Sequence, residues 1–229
     1  MGQRAAPPPL GHPLRLTGAA RTLTRLAIFP LPGAMLYPRM HLPLHIFEPR
    51  YRAMIQDVMA RDQRIGMIQP SGAPIRTGDP PPLFRIGCMG RVAEIEALDD
   101  GRYNIILSGE SRFRLIDELD VATPFRQVDA ELFTAEEDDP GILAASERAA
   151  LESEAQLFAD QLGYAVDWTA VASLDDETLV NGIGQIAPFD PAGKQAMLEA
   201  DTLSQRSELA IQLMQFMRRN DGRNAAPLQ

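Results

Sequence analysis

The apolar residues of this chain follow two rhythms, and the change falls near residue 135. Between Arg25 and Phe133 they come in short runs: LAIFPL at Leu26–Leu31, AMLYP at Ala34–Pro38 and LPLHIF at Leu42–Phe47. Punctuated by Pro30, Pro32, Gly33 and Pro38, such runs predict short strands at a sheet edge or barrel rim, where proline's missing N–H does least harm. One segment breaks this pattern. Tyr51, Met54, Ile55, Val58 and Met59 recur at i, i+3, i+4, i+7 and i+8, one face of a helix over about 49–61. Pro49 suits its first position, and Glu48 complements the positive end of its dipole. Beyond it, RIGMIQ, LFRIGCMGRVAEIEAL (Leu83–Leu98), RYNIILSG, SRFRLIDEL and FRQVDAELF read as strands. Ala93, Ile95 and Ala97 alternate with Glu94 and Glu96, and Phe113 and Leu115 with Arg112 and Arg114. Asp99-Asp100-Gly101 supplies a hairpin turn. Several short strands with one helix among them predict a closed or sandwiched antiparallel sheet.

After AEEDDPG (Ala135–Gly141), read as a solvated acidic linker, the period becomes helical. Leu151, Ala155, Phe158 and Leu162 form one stripe, with Gly163 as its stop. Ser173 and Asp176 read as a capping box opening a helix through Val180, Ile183 and Ile186. Asp190-Pro191 opens the helix of Met197 and Leu198, and Leu209, Leu213, Phe216 and Met217 mark a fourth. The class is therefore α+β. A β module over 25–134 precedes a helical bundle over 135–219, between flexible tails at 1–24 and 220–229. The first tail is proline-rich, contains arginine and no acid, and has no apolar core of the kind a secretory signal needs.

Charge sharpens the boundary. The 229 residues carry a formal −9, but residues 1–114 hold 15 arginines against 9 acids, whereas 115–201 hold Arg126, Arg148 and Lys194 against 20 acids. The acidic half would repel a phosphate backbone. No apolar run approaches the ~20 residues of a membrane span. The single cysteine, Cys88, cannot form an internal disulfide and suits a reducing cytoplasm; its GCMG setting reads as core.

Candidate chemistry is sparse. Lys194 in FDPAGKQ lacks the glycine and the Ser or Thr of a phosphate loop, and Gly182 and Gly184 lie in a helical pattern rather than after a strand. His41 and His45 are separated by Pro43 in an extended context, which removes the helical zinc geometry. No G-x-S-x-G elbow is present. No catalytic residue, metal or cofactor is expected.

The stretch LAIFPLPGAMLYPRMHLPLHIFEPRYRAMIQD, at Leu26–Asp57, resembles the opening of the Lon protease amino-terminal domain, the LON substrate-binding domain. RIGMIQP, IGCMGRVAEIE, DGRYNIILSGESRFRL and PFDPAGKQAMLEA continue the resemblance in order to about Phe216. It implies a PUA-like β-barrel or sandwich module followed by an α-helical bundle. The chain lacks a Walker lysine and a Ser–Lys dyad, so it looks like the stand-alone LON-domain proteins of bacteria. That implies a non-catalytic module binding unfolded or hydrophobic polypeptide, with a protease or chaperone as a possible partner. The alternative is an RNA-binding PUA-like module using Arg50, Arg52, Arg112 and Arg114. The candidate polypeptide surface is Met35, Leu36, Tyr37, His45 and Phe47, rimmed by Arg50 and Arg52. The competing reading turns Leu36 and Phe47 inward, and places Arg112, Arg114, Arg50 and Glu48 in structural ion pairs.

Overall fold

The computed structural model describes residues 23–72, 76, 80–135, 138 and 141–224. In its first half run β1 (Leu23–Pro30), β2 (His41–Ile46), α1 (Pro49–Met59), β3 (Arg64–Ile68), β4 (Ile86–Ala97), β5 (Tyr103–Glu118) and β6 (Gln127–Leu132). The strand order β2-β5-β4-β3-β1-β6 closes on itself, because β6 also pairs with β5. A five-stranded barrel results, and closure removes the free edges that short strands would otherwise expose. β5 makes this possible by its length: Phe113–Glu118 pair with β6, while Tyr103–Ser108 pair with β2 outside the barrel. The pairing is not wholly antiparallel. β1 and β3 run parallel, Ile28 opposite Gly66, since the long crossover through β2 and α1 returns the chain in the same direction.

Alternation along each strand sorts its side chains into two cores. Leu26, Ile28, Ile68, Met89, Phe113, Val128 and Ala130 fill the barrel. Phe113 is the largest of them, and Gly87 makes room for it: a Cβ there would stand 2.6 Å from the ring and 2.5 Å from the Met67 carbonyl. The opposite faces of the strands carry Phe29, Met67 and Cys88, and α1 lays Tyr51, Met54, Ile55 and Val58 on the same side. The Phe29 and Tyr51 rings meet at 4.1 Å.

The second half contains α2 (Ala145–Leu162), α3 (Trp168–Ala172), α4 (Asp176–Ile186), α5 (Pro191–Glu199) and α6 (Leu203–Asn224). Its Leu151, Val180, Met197, Leu198 and Met214 join the outer barrel core in one continuous cluster. Full burial of each large apolar side chain stabilises by about 1.5–3 kcal/mol, so the two halves hold each other by a shared interior. Gly163 ends α2 in the left-handed region at φ 72°, and Asp190 caps α5 through the Gly193 N–H at 2.6 Å. α4 is capped by Asp175, whose carboxylate accepts from Thr178 N at 2.9 Å, and not by the Ser173–Asp176 box; Ser173 instead closes the short α3, a fifth helix. β1 takes Leu23 and Thr24 from the expected tail, and α6 extends through residues 220–224. The remainder of both tails lies outside the described residues.

Polar groups buried at the junction are bonded across it. Arg112 is 2% exposed, not on a solvent face. Its guanidinium donates to Asp138 at 2.7 Å and to the Leu198 and Ala200 carbonyls at 3.2 and 2.8 Å, at the end of α5. Asp138 is therefore an ion-pair partner, not part of a solvated linker; Glu136, Glu137 and Asp139 lie outside the described residues. Arg206 similarly donates to the Asn181 side chain at 2.7 Å and the Met197 carbonyl at 3.0 Å.

Candidate functional site

Proline punctuation does not leave the segment after β1 on the surface. Gly33, at φ 80°, turns the chain, and the buried Gln69 side chain holds that turn, accepting from Gly33 N at 2.9 Å and donating to the Leu31 carbonyl at 2.9 Å. The following residues are clamped between β5 and the bundle. Arg39 N and Gly109 N exchange hydrogen bonds with the Gly109 and Met40 carbonyls, and Asn181 Nδ2 donates to the Pro38 carbonyl at 3.1 Å. Met35, Leu36 and Tyr37 are consequently core residues, with Tyr37 donating its hydroxyl to the Lys194 carbonyl at 2.8 Å. These three residues of the expected binding surface cannot supply exposed area; Tyr37 packs against Gly184 of α4 and Leu36 against Gly90 of β4, contacts that local sequence does not reveal.

The remaining four do reach the surface. Phe47 is 60% exposed, and its ring stacks at 6.2 Å from that of His45. His45 hydrogen-bonds the Asn104 side chain at 2.7 Å and lies 3.1 Å from the Arg102 guanidinium. Arg50 pairs with Glu48 at 2.8 Å and lies over the Tyr51 ring, while Arg52 is half-buried. A broad hollow of about 520 Å³ beside them is floored by Ile106 but rimmed by His45, Glu94, Glu96 and Asn104. Its polar groups already bond one another, Asn104 donating to Glu96 at 2.7 Å. Of the arginines weighed for RNA, Arg112 is buried and Arg114 pairs with Glu131 at 2.9 Å.

The bundle offers a different surface. Two cap-and-turn segments in succession build it: Gly163 ends α2, Asp167 caps α3 by accepting from Thr169 N and Ala170 N at 3.0 and 3.1 Å, and Asp175 opens α4. The short α3 and its flanks thus lie across the ends of two longer helices. Between them opens an apolar groove of about 210 Å³, floored by Phe158 and Met214, with Trp168 in its wall. Tyr164, Val166, Leu174 and Ile186 line it while standing in solvent, Tyr164 51% and Ile186 78% exposed. Asp160, Asp167 and Asp175 are exposed beside these lining residues, whereas Glu152 and Asp176 pair with Arg148, Glu154 with Arg218 and Glu177 with Arg39. Among the described residues no three His, Cys, Asp or Glu side chains form a group that could hold a metal. The Cys88 thiol is wholly buried and its pKa is pushed up, chiefly by burial. Chemically, the groove can bind apolar groups beside cations.

Sequence periodicity passes over this groove because Tyr164, Val166 and Leu174 belong to no stripe, and Ile186, read as part of the α4 stripe, is exposed instead. The available signal was an apolar excess: Tyr164, Val166, Trp168, Val171 and Leu174 crowd around the Asp167 and Asp175 caps and exceed what one helix face can bury.

The family described as the ATP-dependent protease La (LON) substrate-binding domain matches residues 25–215. Lon protease of Rhizobium meliloti is 22% identical over 204 residues, covering 87% of this chain and 25% of that protein. Lon protease 2 of Sorangium cellulosum is 25% identical over 108 residues, 47% of this chain and 13% of that protein. The chain thus spans a quarter or less of these relatives. Two solved structures share its fold. The Lon N-terminal domain protein from Xanthomonas campestris has a TM-score of 0.59 and 19% identity, covering 81% of this chain and 95% of that one. The N-terminal domain of Mycobacterium avium complex Lon protease has a TM-score of 0.62 and 15% identity, covering 84% of this chain and 98% of that one.

Proposed function

The chain belongs to the LON substrate-binding domain family, and on that premise we propose that it captures exposed apolar stretches of unfolded polypeptide in the groove between α2, α3 and α4, without chemistry of its own. The observation that carries this reading is the groove itself. Large side chains such as Tyr164 and Ile186 stand in water beside a concave apolar floor, an arrangement that a folded chain tolerates only at a cost. Covering this apolar surface stabilises by about 25 cal/mol per Å². Association and ordering of the client offset much of it, leaving the weak, releasable binding that a recognition module requires. The acidic rim favours clients with basic residues beside apolar ones, and it opposes RNA. A protease or chaperone in the cytoplasm is the partner suited to take over a client so held.

The test is capture of a permanently unfolded model protein, such as reduced and carboxymethylated lactalbumin, by the full chain. Tyr164→Ser with Ile186→Ser should weaken capture at least fivefold with the melting temperature unchanged, since both side chains are exposed. Phe47→Ser serves as the comparison. If only that variant loses capture, the site is the His45–Phe47 surface with Arg50 and Arg52; if neither does, the reading fails.

A further inference from the structure

We infer that the groove takes its polypeptide as an amphipathic helix docked beside α4, and not as an extended strand. The inference rests on the reading of the groove as a capture site and specifies the form in which a client is held.

Backbone chemistry disfavours the strand. Phe158, Leu179 and Met214 in the groove belong to α2, α4 and α6, whose N–H and C=O groups bond along their own helices. The wall around α3 is similarly committed. Tyr164 N donates to the Ala159 carbonyl at 2.9 Å, Val171 N to that of Asp167 at 3.0 Å and Leu174 N to that of Val171 at 3.1 Å. Thr169 N and Ala170 N are taken by the Asp167 carboxylate. Only residues 165–167 of that wall lie outside helix and turn, too few to match an ordinary strand of about 5–6 residues. An extended client laid in the groove would desolvate its own N–H and C=O groups without partners, a penalty that offsets what its apolar side chains gain. A helix bonds those groups internally and presents side chains alone.

The form of α4 fits such an occupant. Its Leu179, Gly182, Ile183 and Ile186 line the groove at i, i+3, i+4 and i+7, and along this row burial gives way to full exposure at Ile186. A row of that spacing is the ridge against which a neighbouring helix packs, and its last turn stands uncovered among the described residues. Gly182 notches the ridge. A Cβ there would meet only the end of the Met40 side chain, at 3.8 Å, whereas one at Gly184 would stand 2.8 Å from Met197 Cε. Gly184 is thus required by packing within the chain and Gly182 is not, although glycine is the least favourable helix residue after proline. The missing side chain leaves room for a second backbone to come close.

Charge sets the client's polar flank. Asp160, Asp167 and Asp175 stand exposed at the groove and form no ion pair among the described residues; Asp167 and Asp175 keep their charge while capping α3 and α4. Fixed charges of one sign favour lysine or arginine beside the apolar face of the client. The preferred client is therefore a stretch with apolar residues at i, i+3, i+4 and i+7 and basic residues next to them.

The chain contains one tryptophan, Trp168, and it sits in the groove wall, so its emission reports occupancy in the full chain. The probes are synthetic peptides of about 16 residues, near the length at which an isolated helix is marginal. One carries leucines at the helical spacing with lysine and glutamine elsewhere. A second has the same composition with its leucines at alternate positions, and a third is the first with a central proline. The helical-period peptide should bind about tenfold tighter than either of the others, and should gain helicity by circular dichroism as it binds. Glutamate in place of its lysines should weaken it about fivefold. Gly182→Leu, whose side chain enters open space, should weaken it about tenfold without lowering the melting temperature, and Tyr164→Ser with Ile186→Ser should weaken it similarly. Equal affinity for the alternating or the proline peptide, or binding without gain of helicity, would overturn the inference. So would no binding of the helical-period peptide at about 1 mM, or affinity untouched by both variants. If Tyr164→Ser with Ile186→Ser loses the helical peptide but still captures carboxymethylated lactalbumin, the groove is a helix site and the capture reading fails. If that variant loses capture while the three peptides bind alike, the capture reading stands and the helix inference falls.

Discussion

Replacing Arg112 by alanine should destabilise the protein by about 3–5 kcal/mol, which is a large share of the stability of a domain this size. The guanidinium is 2% exposed and carries three kinds of contact: the 2.7 Å pair with Asp138, hydrogen bonds to the Leu198 and Ala200 carbonyls, and a 4.5 Å approach to the Phe133 ring. Truncation leaves the Asp138 carboxylate, whose side chain is 13% exposed, with Ser111 Oγ at 2.8 Å and Arg112 N at 2.9 Å as its remaining neutral donors. It also strips a cation from the negative end of α5. Removing one member of a buried pair costs more than removing both, because the penalty is the stranded charge. Arg112→Met with Asp138→Leu should therefore cost less than Arg112→Ala alone, and a double-mutant cycle should give a coupling above about 1.5 kcal/mol. Arg112→Lys keeps the charge but loses the planar fork, and should fall between the parent and the alanine variant. Urea unfolding is followed at once by Trp168 emission, which reports on the bundle, and by far-ultraviolet circular dichroism, which reports on the whole. The two midpoints should shift together, since Arg112 joins β5 to α5 across the shared core. A loss below 1 kcal/mol for Arg112→Ala, or additivity in the cycle, would refute the assignment of the pair as a junction between the halves.

Two further expectations follow from burial. The Cys88 thiol and the Tyr37 hydroxyl both have raised pKa values, burial being the main cause in each. The folded state therefore keeps protons that the unfolded state releases, so stability should fall as pH rises above about 9, where an ordinary thiol ionises. The slope should approach about 1.4 kcal/mol per pH unit for the thiol alone and steepen above 10; under reducing conditions Cys88→Ala should flatten the first part of the decline, and a flat profile in the parent would contradict this. Gly87→Ala places a Cβ between the Phe113 ring and the Met67 carbonyl, and overpacking there should cost about 3 kcal/mol; the additional Phe113→Leu substitution should recover part of that loss in the same urea assay.

How much of this was legible in the sequence depended on whether the deciding contact was local. The face Tyr51, Met54, Ile55, Val58 lies inside α1 as its spacing required, and Asp190 with Pro191 opens α5, because periodicity and capping act within a few residues. Long-range pairing defeated the same reasoning. Nothing near β1 announces that its neighbour is β3 in parallel, since that register is set by the crossover between them. Nor does local alternation reveal that the face of β5 bearing Arg112 is covered by α5. The strand pattern was read correctly, but an alternating arginine means solvent only when no other element packs on that side.

The same distinction explains why Met35, Leu36 and Tyr37 are buried while an apolar groove stands open around α3. The run Ala34–Pro38 reads as a short strand at a sheet edge that exposes Met35, Leu36 and Tyr37, but the segment forms no strand. It is out of the sheet, yet the absence of ladder bonds is compensated by Gly109 on one side and Asn181 on the other. A segment so bonded brings its apolar side chains inward. Around α3 the logic runs the other way. Asp167 and Asp175 satisfy the backbone of two closely spaced helix starts, so the chain turns too sharply for Tyr164, Val166 and Leu174 to share one buried stripe. Caps that stabilise the backbone locally thereby leave apolar side chains in water, and the same carboxylates give the groove its acidic rim. The unfavourable exposure of Tyr164, Val166 and Leu174 and the carboxylates of Asp167 and Asp175 beside them arise from one stretch of about a dozen residues, 164–175.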